Sequence, residues 1–193
     1  MKKIVYRLLL ALTVVAFTAC SWDSEDKNPT HYDTVTDELK AIESEARASS
    51  GINLRWRELN EQLHDSIAKK ALSNTVLDWH AVSTPGGTAG VYVRFIKSGT
   101  GSEKPVQTAS VVINYKGKLG SETVFDQGVG AKFAVNGVVT GFSTALQNMV
   151  TGDKWEVCIP YGMGYGYTTS GSIPACSTLF FEIELLEIDQ YPQ

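Results

Sequence analysis

The part of the sequence that most strongly suggests a binding site is an aromatic, glycine-rich segment, Tyr161–Tyr167. Tyrosines and glycines interleave along it, and Ile173–Pro174 and a strand-like alternation of residue types follow. A loop cannot bury aromatic rings without a neighbouring wall, so rings on a loop usually serve a site. Together with Tyr115 and the pair Phe125–Asp126, the segment predicts an aromatic-lined pocket that contains almost no ionisable groups.

The rest of the sequence lacks the residue sets that many enzymes use. All three histidines, His31, His64 and His80, precede residue 88, which argues against Ser-His-Asp and Cys-His sites in the chain that follows. Two cysteines there have no partners at zinc-ligand spacing, and Gly162–Gly166 lacks the third glycine and the following helix of a dinucleotide site. A net charge of −4 without a basic cluster argues against nucleic acid as a partner. We expect no metal and no cofactor.

The two C-terminal cysteines leave two alternatives open. Trp155, Val157 and Ile159 alternate onto the inner face of a predicted strand, which places Cys158 on its outer face. Extending the alternation of the final strand backward places Cys176 on an outer face as well. In an exported protein, where disulfides persist, these two thiols could pair. The alternative is two unpaired thiols at the surface.

From about residue 88 the pattern becomes that of strands, interrupted by one short helix. The helix is predicted because Phe142, Ala145, Leu146 and Met149 recur at helical spacing. One helix beside a mostly antiparallel sheet predicts an α+β domain over residues 88–193. The predicted strands are Val91–Ile96, Val111–Gly117, Thr123–Phe125, Lys132–Val135, Lys154–Ile159 and Thr178–Ile188.

Residues 33–84 have the period of helices instead, and Thr84–Gly87 has the composition of a linker or turn. Apolar residues recur at steps of three and four on both sides of Ser49–Gly51. Such a stripe must be buried, either against the downstream domain or against a second copy of the chain, which would give a homodimer through these helices. The stripe consists of Val35, Leu39, Ile42, Ala46, Ile52, Trp56, Leu59, Leu63 and Ile67.

The N-terminus has the pattern of an export signal. A basic start precedes an apolar run, Leu8–Phe17, that is too short to span a bilayer as a mature helix. Small residues then lead to Cys20, as in a bacterial lipoprotein signal, in which that cysteine is acylated. We expect residues 1–19 to be removed, Cys20 to carry a lipid and residues 20–32 to form a polar tether. A plain secretory signal with a chance cysteine is the alternative.

Five segments of the strand-rich region form a series: Val112–Leu119, Thr123–Asp126, Val138–Phe142, Ile159–Gly166 and Ile173–Phe181. In this order they resemble the corresponding segments of FKBP-type peptidyl-prolyl cis-trans isomerases, over roughly residues 88–189. The family's fold would be a five- to six-stranded antiparallel sheet wrapped around the short helix, with a ligand pocket between them. Here a helical N-terminal extension precedes that fold.

The resemblance implies a role for each pocket residue. Asp126, Tyr165 and Val139 would form the catalytic set, in which the Val139 backbone N–H and the Tyr165 hydroxyl donate hydrogen bonds to the substrate. Phe142 would form the floor, where better-known members carry tryptophan. Ala131 stands where the family often has an aromatic wall, so the pocket would be more open there. The substrate-binding walls would be Tyr115, Phe125, Val138, Phe142, Ile173 and Phe181.

The physics of prolyl isomerisation fits such a pocket. Amide resonance sets a barrier of roughly 18–20 kcal/mol to rotation about a peptide bond. The planar amide is more polar than the twisted one, so a pocket that removes water disfavours the planar ground state. No proton transfer and no covalent bond are needed, which agrees with the absence of histidine from this region.

The resemblance therefore implies a peptidyl-prolyl isomerase that assists the folding of exported proteins. It would be lipid-anchored in the bacterial cell envelope, facing the periplasm or the outer surface. Its partners would be proline-containing polypeptides, the membrane through the lipid on Cys20, and macrolide immunosuppressants. The alternative is a chaperone or surface-interaction lipoprotein that holds proline-containing segments without isomerising them.

Overall fold

The computed structural model of the protein describes residues 31–72, 79–83, 87 and 90–189. The predicted signal, Cys20 and most of the predicted tether and linker lie outside these residues. The helices are α1 (His31–Ala48), α2 (Leu54–Leu72) and α3 (Thr140–Leu146). The strands are β1 (His80–Val82), β2 (Val91–Lys97), β3 (Ser110–Leu119), β4 (Val124–Ala134), β5 (Lys154–Ile159) and β6 (Leu179–Asp189).

The helices α1 and α2 form where the apolar stripe predicts them. The side chain of Asn53 accepts a hydrogen bond from the Trp56 N–H at 3.0 Å, which caps the start of α2. Ile52, in the turn between the helices, is exposed and does not continue the stripe. Among the described residues, no helix is both long and apolar enough to cross a membrane.

Most of the stripe is buried within this one chain, which is the first of the two alternatives for it. Its fully or nearly fully buried members are Val35, Leu39, Ala46, Trp56, Leu59, Leu63 and Ile67. With this surface already covered, the stripe by itself no longer supports a homodimer.

The sheet is antiparallel, with the strand order β1-β2-β5-β6-β3-β4. This confirms the α+β fold predicted from the sequence. Two details differ from the prediction. The two short strands expected around Phe125 and Phe133 are one strand, β4, whose pairing with β3 is interrupted by irregularities of register. The predicted helical extension also contains a strand, β1, in which His80 pairs with Val93.

Helix α3 packs against one face of the sheet, and at Gly141 its backbone lies very close to β5. All residues from Gly141 to Leu146 are buried. A Cβ atom on Gly141 would lie 2.3 Å from Cγ2 of Ile159 on β5, so only glycine permits this distance. The short helix therefore sits directly on the sheet, and the space beside it becomes the cavity described below.

The opposite face of the sheet is covered by the N-terminal helices and Trp79. Cys158, which was expected to be exposed on this face, is therefore buried. On β6, Phe181 faces α3, so its neighbour Phe180 points to the other face. Phe180 is fully buried there and meets the Trp79 ring edge-on at 6.2 Å. Cys158 is the cross-strand neighbour of Phe180 and is also fully buried.

Cys176 is fully buried too, and both thiols are free. The proposed disulfide and the alternative of surface thiols are thus both wrong. Cys176 does not lie on the final strand: it has a φ of 61° and its N–H donates to the Gly166 carbonyl at 2.8 Å. The alternation extended backward from β6 therefore does not apply to it. Burial raises the pKa of the Cys158 thiol well above its ordinary value, which keeps it protonated.

Candidate active site

A cavity of about 260 Å³ opens between α3, the sheet and the loop that joins β5 to β6. It is smaller than the roughly 300–1,000 Å³ of drug-sized pockets, so it suits a single residue rather than an extended ligand. The residues that line it are Tyr115, Phe125, Asp126, Phe133, Gly137, Val138, Val139, Phe142, Tyr165 and Phe181.

Three phenylalanine rings form the deep part of the cavity. The Phe181 ring packs edge-to-face against Phe142 on α3, with centroids 4.9 Å apart, and against Phe125 on β4, at 5.5 Å. Edge-to-face contacts at these distances fix the rings in place. They lie over Gly117 of β3, whose lack of a side chain gives the rings of Phe125 and Phe181 their room.

A hydrogen bond between Tyr115 and Asp126 lies at the side of the cavity. The Tyr115 hydroxyl donates to Oδ2 of Asp126 at 2.8 Å, while Oδ1 accepts from the Gln127 N–H at 2.9 Å. Burial, followed by this bond to the carboxylate, raises the pKa of Tyr115 to about 12. The phenol therefore stays protonated near neutral pH and is a donor. Both oxygens of Asp126 already accept hydrogen bonds. The Tyr115–Asp126 pair therefore holds this side of the cavity in its orientation.

Tyr165 lies at the rim of the cavity on the loop between β5 and β6. Its side chain is 40% exposed, whereas those of Phe142 and Phe181 are buried. The loop is held around it by backbone hydrogen bonds, because the N–H groups of Gly164 and Gly166 both donate to the Tyr161 carbonyl. Gly166 has a φ of 64°, a conformation that favours glycine. The interleaved glycines thus let the loop turn tightly while presenting the ring.

Val138 and Val139 form the wall at the start of α3. Val139 is the N-terminal capping residue, and its carbonyl accepts from the Ser143 N–H at 3.0 Å. Its own N–H precedes the helix and so lies outside the helical hydrogen-bond ladder. Val139, whose N–H was predicted to donate to the substrate, therefore borders the cavity.

The structure brings together eight of the nine residues predicted for the site and places the ninth, Ile173, elsewhere. Ile173 and Ser170 exchange backbone hydrogen bonds of 2.9 and 3.0 Å in a tight turn, and the Ile173 side chain is buried in the core rather than in the cavity wall. Sequence reasoning missed Phe133 and Gly137, which also line the cavity. Phe133 is eight residues after Phe125 on one strand, so alternation along an unbroken β4 would have placed both on one face.

The arrangement offers an apolar enclosure with a few hydrogen-bonding groups at its edges. Within the described residues, no group of histidine, cysteine or acidic side chains is placed to hold a metal ion. The Phe133 ring packs edge-on against Tyr115, with centroids 5.5 Å apart, and so supplies an aromatic wall on β4 near Ala131. The cavity can therefore bind and desolvate a small apolar group while polar neighbours are held outside.

Residues 101–186 match a protein-family model described as FKBP-type peptidyl-prolyl cis-trans isomerase. The FKBP-type 22 kDa peptidyl-prolyl cis-trans isomerase of Escherichia coli is 47% identical over 105 residues, 52% of this chain and 50% of that protein. The outer membrane protein MIP of Legionella longbeachae is 37% identical over 105 residues, 52% of this chain and 45% of that protein. The chain thus spans about half the length of the curated relatives it matches.

A crystal structure of a peptidyl-prolyl cis-trans isomerase from Pseudomonas syringae superposes with a TM-score of 0.53 and covers 83% of this chain and 98% of that one. At 24% identity, this similarity shows the fold alone. The family model and the curated relatives thus indicate the same type of protein. The cavity lies within the residues, 101–186, that match the FKBP-type peptidyl-prolyl cis-trans isomerase family model, and the relatives of this type are similar to the chain over about half its length.

Proposed function

We propose that the protein is a peptidyl-prolyl cis-trans isomerase that acts on proline-containing polypeptides. The observation that carries the proposal is the cavity of about 260 Å³ floored by Phe142, Phe125 and Phe181 and edged by Tyr165 and Val139. Its size suits a prolyl ring, and its position lies within the residues that match the isomerase family.

The proposed mechanism works by differential solvation and by orientation. The prolyl ring enters the aromatic cavity and its amide loses contact with water, which disfavours the planar, more polar ground state relative to the twisted transition state. The Val139 N–H and the Tyr165 hydroxyl donate to carbonyls that flank the proline and so hold the substrate in register. The Asp126 carboxylate fixes the Tyr115 hydroxyl at 2.8 Å and keeps that wall in place.

The direct test follows the cis-to-trans relaxation of a proline-containing peptide with the chain from residue 21 onward. We expect acceleration by the wild-type protein at micromolar concentration. Tyr165→Phe should lower kcat/KM by about fivefold, the equivalent of one neutral hydrogen bond of about 1 kcal/mol. Tyr92→Phe is a matched control, because Tyr92 packs beside His64, with ring centroids 5.2 Å apart, and does not line the cavity.

The outcomes separate two functions. A relaxation rate equal to the uncatalysed one would reject the enzyme. If the peptide nevertheless binds, and binding weakens in Phe142→Ala, the cavity would serve to hold proline-containing segments as a chaperone does. Inhibition of the wild-type protein by a macrolide immunosuppressant, in competition with the peptide, would support the proposal that these compounds occupy the same cavity.

We further propose that the protein is exported, lipidated on Cys20 and anchored in the bacterial cell envelope, where it assists the folding of exported proteins. The basic start, the short apolar run and the small residues before Cys20 support this, as does the name of the Legionella relative, an outer membrane protein. Expression in a bacterium fed an alkyne-tagged fatty acid should label the wild-type chain and not Cys20→Ser. Equal labelling of both would reject lipidation at this residue.

A further inference from the structure

Helix α2 packs against the sheet domain beside the loop that carries Tyr165. Its buried face includes Trp56, Leu59 and Leu63, of which none is more than 1% exposed. Because α2 precedes the residues that match the isomerase family, none of the roles described above includes it. Its polar contacts nevertheless concentrate on the two ends of that loop.

The buried contacts fix the C-terminal end of the loop. Nε1 of Trp56 donates to the Ser177 hydroxyl at 3.0 Å, and that hydroxyl donates to the Pro174 carbonyl at 2.7 Å. The Asn60 side chain accepts from the Thr178 N–H at 2.8 Å. Because Asn60 is completely buried, its hydrogen bond to Thr178 stabilises the structure more than a surface contact would. This bond therefore links the residues before β6 to α2.

A second contact fixes the N-terminal end, where the loop leads to the cavity. The Tyr161 hydroxyl donates to Oε1 of Glu61 at 2.9 Å, and Nε of Arg57 donates to the same oxygen at 2.9 Å. The Tyr161 carbonyl in turn accepts from the N–H groups on both sides of Tyr165, those of Gly164 and Gly166. One residue therefore touches α2 with its side chain and holds the backbone around Tyr165 with its carbonyl.

The aromatic rings strengthen this link. The Tyr161 ring meets the Tyr167 ring at 5.3 Å in an edge-to-face contact, so the tyrosines on both sides of Tyr165 pack together. Hydrogen bonding with Tyr167, then burial and the Glu61 carboxylate, raise the pKa of Tyr161 above its ordinary value, so its hydroxyl remains a donor at neutral pH.

We infer that α2 is a positioning element of the active site: Glu61, acting through Tyr161, holds Tyr165 at the rim of the cavity. This rests on the proposed isomerase function and deepens it. Glu61 and Tyr161 do not line the cavity, so they are positioning residues rather than catalytic ones. A loop rich in glycine has many alternative conformations, and a small displacement of a substrate-orienting group lowers turnover markedly.

The test compares two glutamates of α2. Glu61→Ala removes the acceptor for Tyr161. Glu58→Ala is the matched control, because Glu58 also carries an ion pair, to Arg55, but both partners belong to α2. We expect Glu61→Ala to lower kcat/KM about two- to fivefold, that is, by no more than removal of the Tyr165 hydroxyl does. Glu61→Gln keeps an acceptor oxygen and should restore most of the activity, and Glu58→Ala should leave it unchanged.

A double-mutant cycle with Tyr165→Ala distinguishes positioning from a general effect on stability. If Glu61 acts by placing the Tyr165 side chain, Glu61→Ala has no further effect once that side chain is absent. An equal loss in the Tyr165→Ala background, or a loss that follows a lowered Tm in every variant, would overturn the inference.

A readout without catalysis keeps the inference separate from the proposed function. In protein labelled at the tyrosine rings, the NMR signal of Tyr165 is assigned by its loss in Tyr165→Phe. We expect this signal to shift in Glu61→Ala and to stay in place in Glu58→Ala, even if the wild-type protein proves not to accelerate isomerisation. A Tyr165 signal that is the same in wild type, Glu61→Ala and Glu58→Ala would refute the link between α2 and the cavity.

Discussion

At the scale of single residues, the shape of the cavity depends on a position without a side chain. A Cβ atom on Gly117 would lie 2.7 Å from ring atoms of both Phe125 and Phe181. We expect Gly117→Ala to lower the free energy of unfolding by about 1–3 kcal/mol, as overpacking does, and to displace the rings that floor the cavity. Urea unfolding and the isomerase assay measure the two effects. Gly51→Ala is the control, since no atom lies within 4 Å of its added methyl group; equal behaviour of the two variants would contradict the argument.

The cysteines give a second prediction at this scale. Both thiols are fully buried and free, and burial raises the pKa of each. A protonated, inaccessible thiol does not attack a disulfide reagent. In protein carrying Cys20→Ser, we expect no rapid reaction with such a reagent in the native state and two reactive thiols after unfolding in guanidinium. One reactive thiol in the native state, or none after unfolding, would show that the burial or the free state is wrong.

Residue types indicated part of the candidate site, the resemblance of five segments to a known family indicated most of the rest, and the two errors have physical causes. Eight predicted residues meet at the cavity because their segments carry a family's pocket residues in order. Ile173 is the exception, since the turn it forms with Ser170 directs its side chain into the core. Phe133 was missed because the sequence predicts two short strands here, one on each side of the glycines in the middle of β4. The strand continues through them, with its register to β3 shifted between Ile113 and Tyr115.

At the scale of elements, α1 is tied to the turn that joins β3 to β4, the strand that carries Phe125 and Asp126. The Glu43 carboxylate accepts from the hydroxyls of Ser121 and Thr123, each at 2.6 Å. Burial alone would raise the pKa of Glu43, but these two bonds and the bond from Arg47 outweigh it and lower the pKa below 4.5. The ionised form is therefore favoured in the folded state.

This lowered pKa predicts how stability depends on pH. The unfolded chain binds the proton more readily than the folded one, so the contribution of Glu43 is fully present above about pH 4.5, the ordinary pKa, and is lost as the pH falls through the lowered value. We expect Glu43→Gln to be less stable than wild type at pH 7 and the difference to shrink toward pH 3 in urea unfolding. Glu45→Gln, an exposed neighbour on α1, should show no such trend. A difference that is the same at both pH values would contradict the assignment.

The elements themselves were predicted well where a pattern is long and poorly where it is short. The apolar stripe of α1 and α2 extends over several turns, and the alternation of β5 and β6 covers six or more residues. β1 has three residues, too few for a period to be recognised. Cys158 lies on the predicted face of β5, but the exposure expected there was wrong, because alternation separates two faces without showing that a distant helix covers the second one.

At the scale of the whole molecule, the helical extension and the sheet share one hydrophobic core, and we expect them to unfold together. Trp56 is completely buried and its Nε1 donates to Ser177, while a Cβ atom on Gly120 would lie 2.5 Å from Leu63. Trp56→Ala should therefore lower the free energy of unfolding by about 3–5 kcal/mol, the usual effect of removing a large buried aromatic side chain. Because the core is shared, the helical extension and the sheet should both be destabilised by this substitution.

The measurement is urea unfolding followed by two signals: helical circular dichroism, which reports mainly on α1 and α2, and the fluorescence of the remaining tryptophans, among them buried Trp155 on β5. In Trp56→Ala both midpoints should fall together, because the sheet loses the cover of its outer face when the helices leave. Leu54→Ala is the control on the same helix, since Leu54 is 73% exposed and should change little. If the helical signal were lost early while the fluorescence midpoint stayed at the wild-type value, the extension would be an independent unit. The positioning of Tyr165 by α2 would then have no structural basis, because a helix that detaches freely cannot hold a loop in place.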